Sequence, residues 1–379
     1  MRWFLSKDAA LKRLETPAVY HIGKDELYEL DESAFVFLLA CSSEGGALSD
    51  ENDFTAYCLE EGILTTETVA VSRPEPVQSP VPSLRYLELQ ITDRCNLRCR
   101  HCYIGSNNVH TELPLDEIRR ILAEFEQMQG LRLLITGGEP LLHTGFAAIN
   151  NLLPDHSFRK VLFTNGLLVT RDLLDSLFVD EVQVSIDGLE ASHDSLRGRG
   201  SFRAATEAVR LCREAGIETS VSTMVHQKNL SDFEAMDRMF REMGIRDWTV
   251  DVPCSAGRLI ENSDFIVTPK QGGKYLKYGY GSGLHGSAEG YGCGLHLMSV
   301  TAQGEAAKCT FYADKAVGSV SEGLRECWER IRPVRLDSLD CDCDFLESCR
   351  GGCRYRAELL GGPGGRDLYR CHLYDIMKT

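Results

Sequence analysis

Nowhere in the 379-residue chain do apolar residues run on for the roughly 18 positions that a membrane-spanning helix needs, so no span is expected. Positive charge is also in deficit: 41 Lys and Arg face 56 Asp and Glu, a net charge of −15. That balance argues against broad binding to nucleic acid or to an anionic membrane surface, while leaving room for a local basic groove. The opening Met1–Leu5 is too short for a secretory signal, so the expectation is a cytoplasmic protein whose thiols stay reduced. Cysteine, by contrast, is abundant. Fifteen cysteines in a reducing compartment point to metal ligation before disulfides. An apolar content of 43% and a charged content of 26% are ordinary for a soluble protein, and the length predicts two or three domains.

The chain is organised around Cys95-Asn96-Leu97-Arg98-Cys99-Arg100-His101-Cys102-Tyr103, which follows an alternating run, Leu84–Thr92, that reads as a strand. Three thiolates on so short a loop can wrap one face of an iron–sulfur cubane, which normally takes four. One iron is then left for an exogenous ligand. A zinc site or a disulfide is the plainer use of a CxxC pair, but the triple spacing at the start of a strand–helix series favours the cluster. The spacing resembles the signature of the radical S-adenosylmethionine superfamily, and Tyr103 fills the aromatic position that commonly follows the third cysteine there. The resemblance implies a [4Fe–4S] cluster on Cys95, Cys99 and Cys102. Its open iron would chelate S-adenosylmethionine, which is split to a 5′-deoxyadenosyl radical that abstracts hydrogen from substrate.

Residues 1–72 make a small unit of their own. Ala18–His21 and Glu26–Leu30 read as a strand pair around Gly23-Lys24-Asp25. A helix follows from Glu32, burying Phe35, Leu38 and Leu39. Ser49 or Asp50 is placed to cap a second helix that stops at Gly62, and Ile63–Thr66 reads as a return strand. The order suits a winged-helix-like module. Val19–Gly23 through Glu29–Ala34 resembles the PqqD-like domain that holds the leader peptides of ribosomally made natural products. The corollary is an exposed strand edge onto which a peptide adds. Residues 73–83 carry four of the twelve prolines and read as a semi-rigid linker that keeps the module within reach without fusing the two cores.

Strands and helices then alternate six times. The strands are expected at Leu84–Thr92, Arg132–Thr136, Lys160–Thr164, Glu181–Ile186, Glu218–Met224 and Trp248–Val252. Repeats of about 30 residues mean parallel strands with right-handed crossovers. Six are too few for a closed eight-stranded barrel, so residues 84–270 are expected to form an α/β partial (β/α)6 barrel with its ligand sites at the C-terminal strand ends. A capping box, Ser231 with Glu234, is expected to start the last of its helices. The glycine- and tyrosine-rich stretch around 272–294 reads as a mobile connection that also lines the substrate entrance. Residues 271–379 hold eight of the fifteen cysteines with little periodicity. They form a C-terminal domain that needs metal staples to hold shape.

The motifs fall at the strand ends. Gly137-Gly138-Glu139-Pro140 follows the second strand, and the resemblance implies that it binds the methionine amino group, with Glu139 as acceptor. Asn165 after the third strand, and Ser185 and Asp187 after the fourth, match segments that meet the ribose and the methionine carboxylate. Arg197 is placed to pair with that carboxylate or to lie solvated. Asp251 and Cys254, past the sixth strand, are candidate catalytic residues, Asp251 as a general base. Ser255–Arg258 is a weaker candidate for contact with cofactor or peptide.

The tail resembles the SPASM extension, which implies two auxiliary [4Fe–4S] clusters. Cys293, Gly304 and Cys309 match its first part, Cys343, Cys349 and Cys353 its second, and Cys371 closes it. Only one residue separates Cys341 from Cys343 where the pattern has two, so Cys341 or Asp340 is the fourth ligand of the outer cluster beside Cys343, Cys349 and Cys371. The inner cluster shows three ligands, Cys293, Cys309 and Cys353, and either has an open iron or recruits Cys254 or Cys327. A zinc knuckle is the alternative for the tail.

The whole reading is a cytoplasmic iron–sulfur maturase that acts on a precursor peptide and is served by a reductant such as flavodoxin or ferredoxin. Sulfatase-type protein oxidation and tetrapyrrole side-chain chemistry are the rival enzyme readings. A plain electron carrier is the non-catalytic one.

Overall fold

The computed structural model describes residues 1–49, 51–68, 73–104, 110–281, 283, 285 and 290–376. Among them the N-terminal module runs β1 (Arg2–Leu5), β2 (Ala9–Arg13), β3 (Pro17–His21), β4 (Glu26–Glu29), α1 (Glu32–Cys41), β5 (Ala47–Leu48), α2 (Asn52–Glu60) and β6 (Leu64–Thr65). The β3–β4 hairpin, both helices and the return strand match the expectation. Two further strands, β1 and β2, complete a β2-β3-β4 meander and a β5-β1-β6 ribbon. Trp3, Val19, Phe35, Leu38 and Cys58 close the core between them. Helix α1 starts at Asp31, whose carboxylate accepts the Ala34 amide at 2.8 Å. Helix α2 has no such cap: Glu51 stands at the cap position without a side-chain bond, Ser49 takes only the Glu51 amide, and Asp50 lies outside the described residues.

The barrel is laid down as β7 (Tyr86–Thr92), α3 (Leu115–Gln127), β8 (Arg132–Gly137), α4 (Phe146–Asn150), β9 (Arg159–Thr164), α5 (Arg171–Leu174), β10 (Glu181–Ser185), α6 (Glu190–Arg197), α7 (Ser201–Glu214), β11 (Glu218–Met224), α8 (Phe233–Glu242) and β12 (Trp248–Asp251). The six strands pair in parallel in their sequence order. Alternation sorts their faces. On β7, Leu87, Leu89 and Ile91 pack outward with Ile118, Leu122 and Phe125 of α3, which turns Glu88, Gln90 and Thr92 into the lumen. Helix α8 starts at Asp232 without the expected Ser231 capping box, because the Asp232 carboxylate is spent on the Leu189 amide at 2.9 Å.

After α9 (Pro269–Gly272), the C-terminal domain contributes β13 (Leu297–Val300), β14 (Glu305–Ala307) and β15 (Gly318–Ser319), then α10 (Leu324–Arg330), α11 (Leu346–Cys349), α12 (Arg354–Gly361) and α13 (Leu368–Leu373). Strand β13 pairs in parallel with β7, and β14 and β15 follow antiparallel, so the open sheet has nine strands. Met298, Val300, Ala306 and Trp328 enter the same core as α3. This part therefore shares an apolar core that its weak periodicity did not announce.

Two expectations change. The glycine-rich connection does not line the entrance over its described part. Tyr275 and Tyr278 pack on Phe233 at ring distances of 4.7 and 5.3 Å, Tyr280 bridges Trp248, and His285 reaches the strand-start end beside Tyr86. The module is also not held at a distance. The Asp25 turn inserts under the barrel, where Arg132 Nε donates to it at 2.8 Å and Arg159 donates to the Ile22 carbonyl at 2.9 Å while pairing with Glu181 and Glu218. Glu15 binds Arg85 at 2.7 Å, and the linker runs along β2 through the Arg13–Gln78 bridge.

Candidate active site

The C-terminal strand ends gather the sequence motifs around the cysteine loop. Its backbone is held from two sides: Arg100 N donates to Leu196 O of α6 at 2.9 Å, while Arg258 donates to the Cys99 and Cys102 carbonyls at 3.2 and 3.0 Å. Gly257 sits so close beneath Cys102 that a Cβ would lie 2.3 Å from its carbonyl oxygen. The Ser255–Arg258 segment thus touches the cysteine loop. Cys95, Cys99 and Cys102 lie within electrostatic reach of one another, and burial pushes the Cys95 thiol up to about 11. The Leu97 amide points at Cys95 Sγ at 3.4 Å and the Asn165 amide at 4.0 Å; Asn165 also holds Asn96 at 2.7 Å.

The glycines of Gly137-Gly138-Glu139-Pro140 serve backbone packing. A Cβ on Gly137 would stand 2.2 Å from Thr92 O, and one on Gly138 would stand 2.3 Å from Arg94 O. Glu139 is fully buried. Its oxygens accept from Thr164 Oγ1 and Asn165 N, each at 2.9 Å, and burial pushes its carboxyl up to about 7. Glu139 therefore ties the β8 end to the β9 end, facing inward from the mouth where a ligand acceptor was expected. Pro140, also buried, opens the short turn that Glu139 caps.

Asp187 and Arg197 are likewise drawn inward. Arg197 Nε donates to Asp187 Oδ2 at 2.5 Å, the Met224 amide holds Oδ1 at 2.7 Å, and His101 Nε2 stands at 3.9 Å. Burial would raise the Asp187 carboxyl, but Arg197 and the histidines outweigh it and hold it well below the usual range. Arg197 also faces the thiols of Cys99 and Cys102. The pair backs the cysteine loop and leaves Ser185, at the tip of β10, as the polar side chain without a protein partner among the described residues.

In the C-terminal domain the thiols fall into two sets. Cys353 and Cys254 lie within hydrogen-bond reach, a contact that raises the Cys254 thiol and lowers that of Cys353. Cys353 also stands within electrostatic reach of Cys293 and Cys309. The second set brings the Cys341 thiol to Cys343, Cys349 and Cys371, while Asp340 is exposed and turned to Gly364. Cys327 is elsewhere, buried beside the Ser319 carbonyl. Asp251 is bound by Arg356 at 3.3 Å, and Arg356 also holds Asp367 at 2.8 Å.

Glu88 escaped the sequence reading, although a charged residue at a lumen position of an alternating strand is a visible signal. It accepts the Thr310 amide at 3.1 Å and has no ion pair among the described residues; burial pushes it up to about 7. Above it, Tyr103 tilts against Phe311 at 5.2 Å and Phe311 stacks on Tyr355 at 5.7 Å. These rings wall a cavity of about 660 Å³ between the cysteine loop and the C-terminal domain.

Residues 89–240, from β7 through α8, match the model of the Radical SAM superfamily. The chain carries a radical SAM domain. By that match it is a radical SAM superfamily enzyme, and proteins of the same fold, SuiB among them, have been solved with S-adenosylmethionine bound. Among its relatives, the AdoMet-dependent heme synthase of Nitratidesulfovibrio vulgaris is 26% identical over 214 residues, covering 55% of this chain and 58% of its own. The chain thus spans little more than half of that relative. Mycofactocin maturase MftC of Mycolicibacterium smegmatis is 26% identical over 317 residues, 73% of this chain and 80% of its own. Streptococcus suis SuiB superposes over 97% of this chain and 99% of its own, with a TM-score of 0.68 at 15% identity, a likeness of fold. SuiB has also been solved with its precursor peptide SuiA bound.

The residues of the radical SAM domain suit its cofactors. Three soft thiols converge on one loop, amide N–H groups point at the first, and the Arg197 cation faces the other two, a setting for an anionic sulfur cluster. Among the described residues no three acidic, histidine or cysteine side chains close on a single point as they would around one metal ion.

Proposed function

We propose that the chain is a radical SAM maturase of a ribosomally made precursor peptide. The N-terminal module would hold the leader and the barrel would receive the segment to be modified, leaving a cross-linked or oxidised product. When bound at Cys95, Cys99 and Cys102, the cluster and S-adenosylmethionine supply the deoxyadenosyl radical that takes a hydrogen atom from the substrate. The residues of this chain do the rest. Ser185 and the backbone around Gly137 and Gly138 meet the cofactor; Glu139, Asp187 and Arg197 keep the strand ends and the cysteine loop in register; the ring wall keeps water away.

Four thiols, Cys254, Cys293, Cys309 and Cys353, would hold an inner auxiliary [4Fe–4S] cluster. Cys341, Cys343, Cys349 and Cys371 would hold an outer one. Cys254 thereby moves from a catalytic to a ligand role, and a flavodoxin or ferredoxin serves as the reductant.

The observation that carries the reading is the N-terminal module. It is keyed into the barrel by Asp25 and, among the described residues, leaves the outer edge of β4 unpaired, ready for an added strand. The kinship with MftC and the fold shared with SuiB support it. The test is mass spectrometry of a small peptide encoded beside the gene after anaerobic reaction with reductant and S-adenosylmethionine. A changed peptide mass supports the reading; deoxyadenosine with an unchanged peptide counts against it. The kinship with heme synthases favours tetrapyrrole chemistry as the second reading, which predicts no peptide affinity for the module.

A further inference from the structure

Among the described residues four arginines are buried, and three of them meet a carboxylate: Arg85 binds Glu15, Arg159 binds Glu181 and Glu218, and Arg356 binds Asp367. Arg354 differs. It is 2% exposed and has no ion pair among the described residues. Its two Nη atoms donate to three backbone carbonyls, Gly351 at 2.7 Å, Pro363 at 2.9 Å and Gly365 at 2.5 Å. Its Nε, also buried, has no hydrogen-bond partner among the described residues. Carbonyls orient a guanidinium and leave its charge in place. A cation withdrawn from water to that depth needs an anion nearby.

The surroundings are thiols. Arg354 follows Cys353 at the start of α12, and Gly351 lies in the loop between Cys349 and Cys353. The Gly364 carbonyl, between the two that Arg354 grips, takes the Asp340 amide at 2.9 Å, which brings in the chain that leads to Cys341. Burial raises the Cys293 thiol of the inner set and the Cys341 thiol of the outer set, and the Arg354 charge opposes it at both. One side chain thus reaches both sets.

A [4Fe–4S] core on four thiolates carries a charge of about −2, and about −3 once reduced. A fixed cation beside it stabilises the reduced form more than the oxidised one, and so raises the potential.

We propose that Arg354 is the buried counter-charge shared by the two auxiliary clusters, and that it sets both at a higher reduction potential than their ligands alone would give. The inference rests on the two-cluster reading of the thiols and deepens it. Arg354 is a positioning residue, acting on the clusters and not on the substrate.

The test is a redox titration of the full-length, anaerobically reconstituted holoenzyme followed by electron paramagnetic resonance, beside iron and sulfide analysis. The signal that changes on adding S-adenosylmethionine belongs to the cysteine loop and serves as the internal reference. Arg354→Gln is expected to lower the reduction constants of the other two clusters about tenfold, 59 mV for a one-electron couple, while the reference stays in place. Arg354→Lys keeps the charge and loses the fork, and should stay near the parent values. Auxiliary midpoints unmoved in a Gln variant with full iron overturn the proposal. An equal shift or an equal loss of iron in both variants also overturns it, because Arg354 would then be a scaffold for the loops. Loss of iron in the Gln variant alone supports the counter-charge. A parent protein without auxiliary signals, or with zinc in place of iron, would overturn the two-cluster reading itself and the proposal with it.

Discussion

Arg132, at the foot of the second barrel strand, donates its Nε to Asp25 of the N-terminal turn at 2.8 Å, and this contact joins two units that the chain separates by about a hundred residues. Asp25 is the hub: Tyr20 donates its hydroxyl to it, and His285 Nε2 meets its carbonyl at 2.6 Å. The docking is therefore ionic and enclosed, and the module and barrel should behave as one body.

Removing that hub strands the buried Arg132 guanidinium. Asp25→Ala is expected to destabilise the protein by about 3 kcal/mol or more, because a broken buried pair leaves its partner's charge uncompensated. Urea unfolding followed by circular dichroism reads the shift; a change within about 0.5 kcal/mol would make the docking incidental.

Acid should loosen the same interface. Burial would raise Glu126, but Lys12, His156 and Ser157 pull it down to about 2 from an ordinary 4.5. A carboxylate depressed in the folded state adds stability that is full above pH 4.5 and is lost as pH falls toward 2, about 3 kcal/mol in all. Subtracting the unfolding free energies of Glu126→Gln from those of the parent should give a difference that shrinks over that range. A difference flat with pH would refute the assignment.

The Asn165 side-chain amide holds Asn96 and points at Cys95. Asn165→Ala should therefore lower cluster retention or turnover by about 10- to 100-fold, as the loss of an outer-shell partner does. A redox titration of the site cluster followed by electron paramagnetic resonance should show a displaced midpoint. An unmoved midpoint with full iron content would mean that the loop needs no such support.

The inner thiol set can be tested by contrast. Cys254→Ser should cut the iron and sulfide content by one cluster's share and remove one paramagnetic signal. Cys327→Ser, whose thiol meets only the Ser319 carbonyl, should leave both unchanged. Equal metal content in the two variants would return Cys254 to the surrounding packing.

What the sequence determined was local. Alternation over Tyr86–Thr92 and the 3.6-residue stripe of Ile118, Leu122 and Phe125 named strand and helix, because each pattern buries one face. The spacing of Cys95, Cys99 and Cys102 announced a cluster loop, because neighbours on a short loop must share a site. Tertiary structure decided everything that depended on which distant groups meet. Cys254 and Cys353 lie 99 positions apart in sequence and meet, Glu139 ties its strand end to Thr164 and Asn165, and the Asp25 turn became a plug only once Arg132 and Arg159 stood beneath it. Burial and long-range charge pairing are properties of assembled neighbours, and no local pattern carries them.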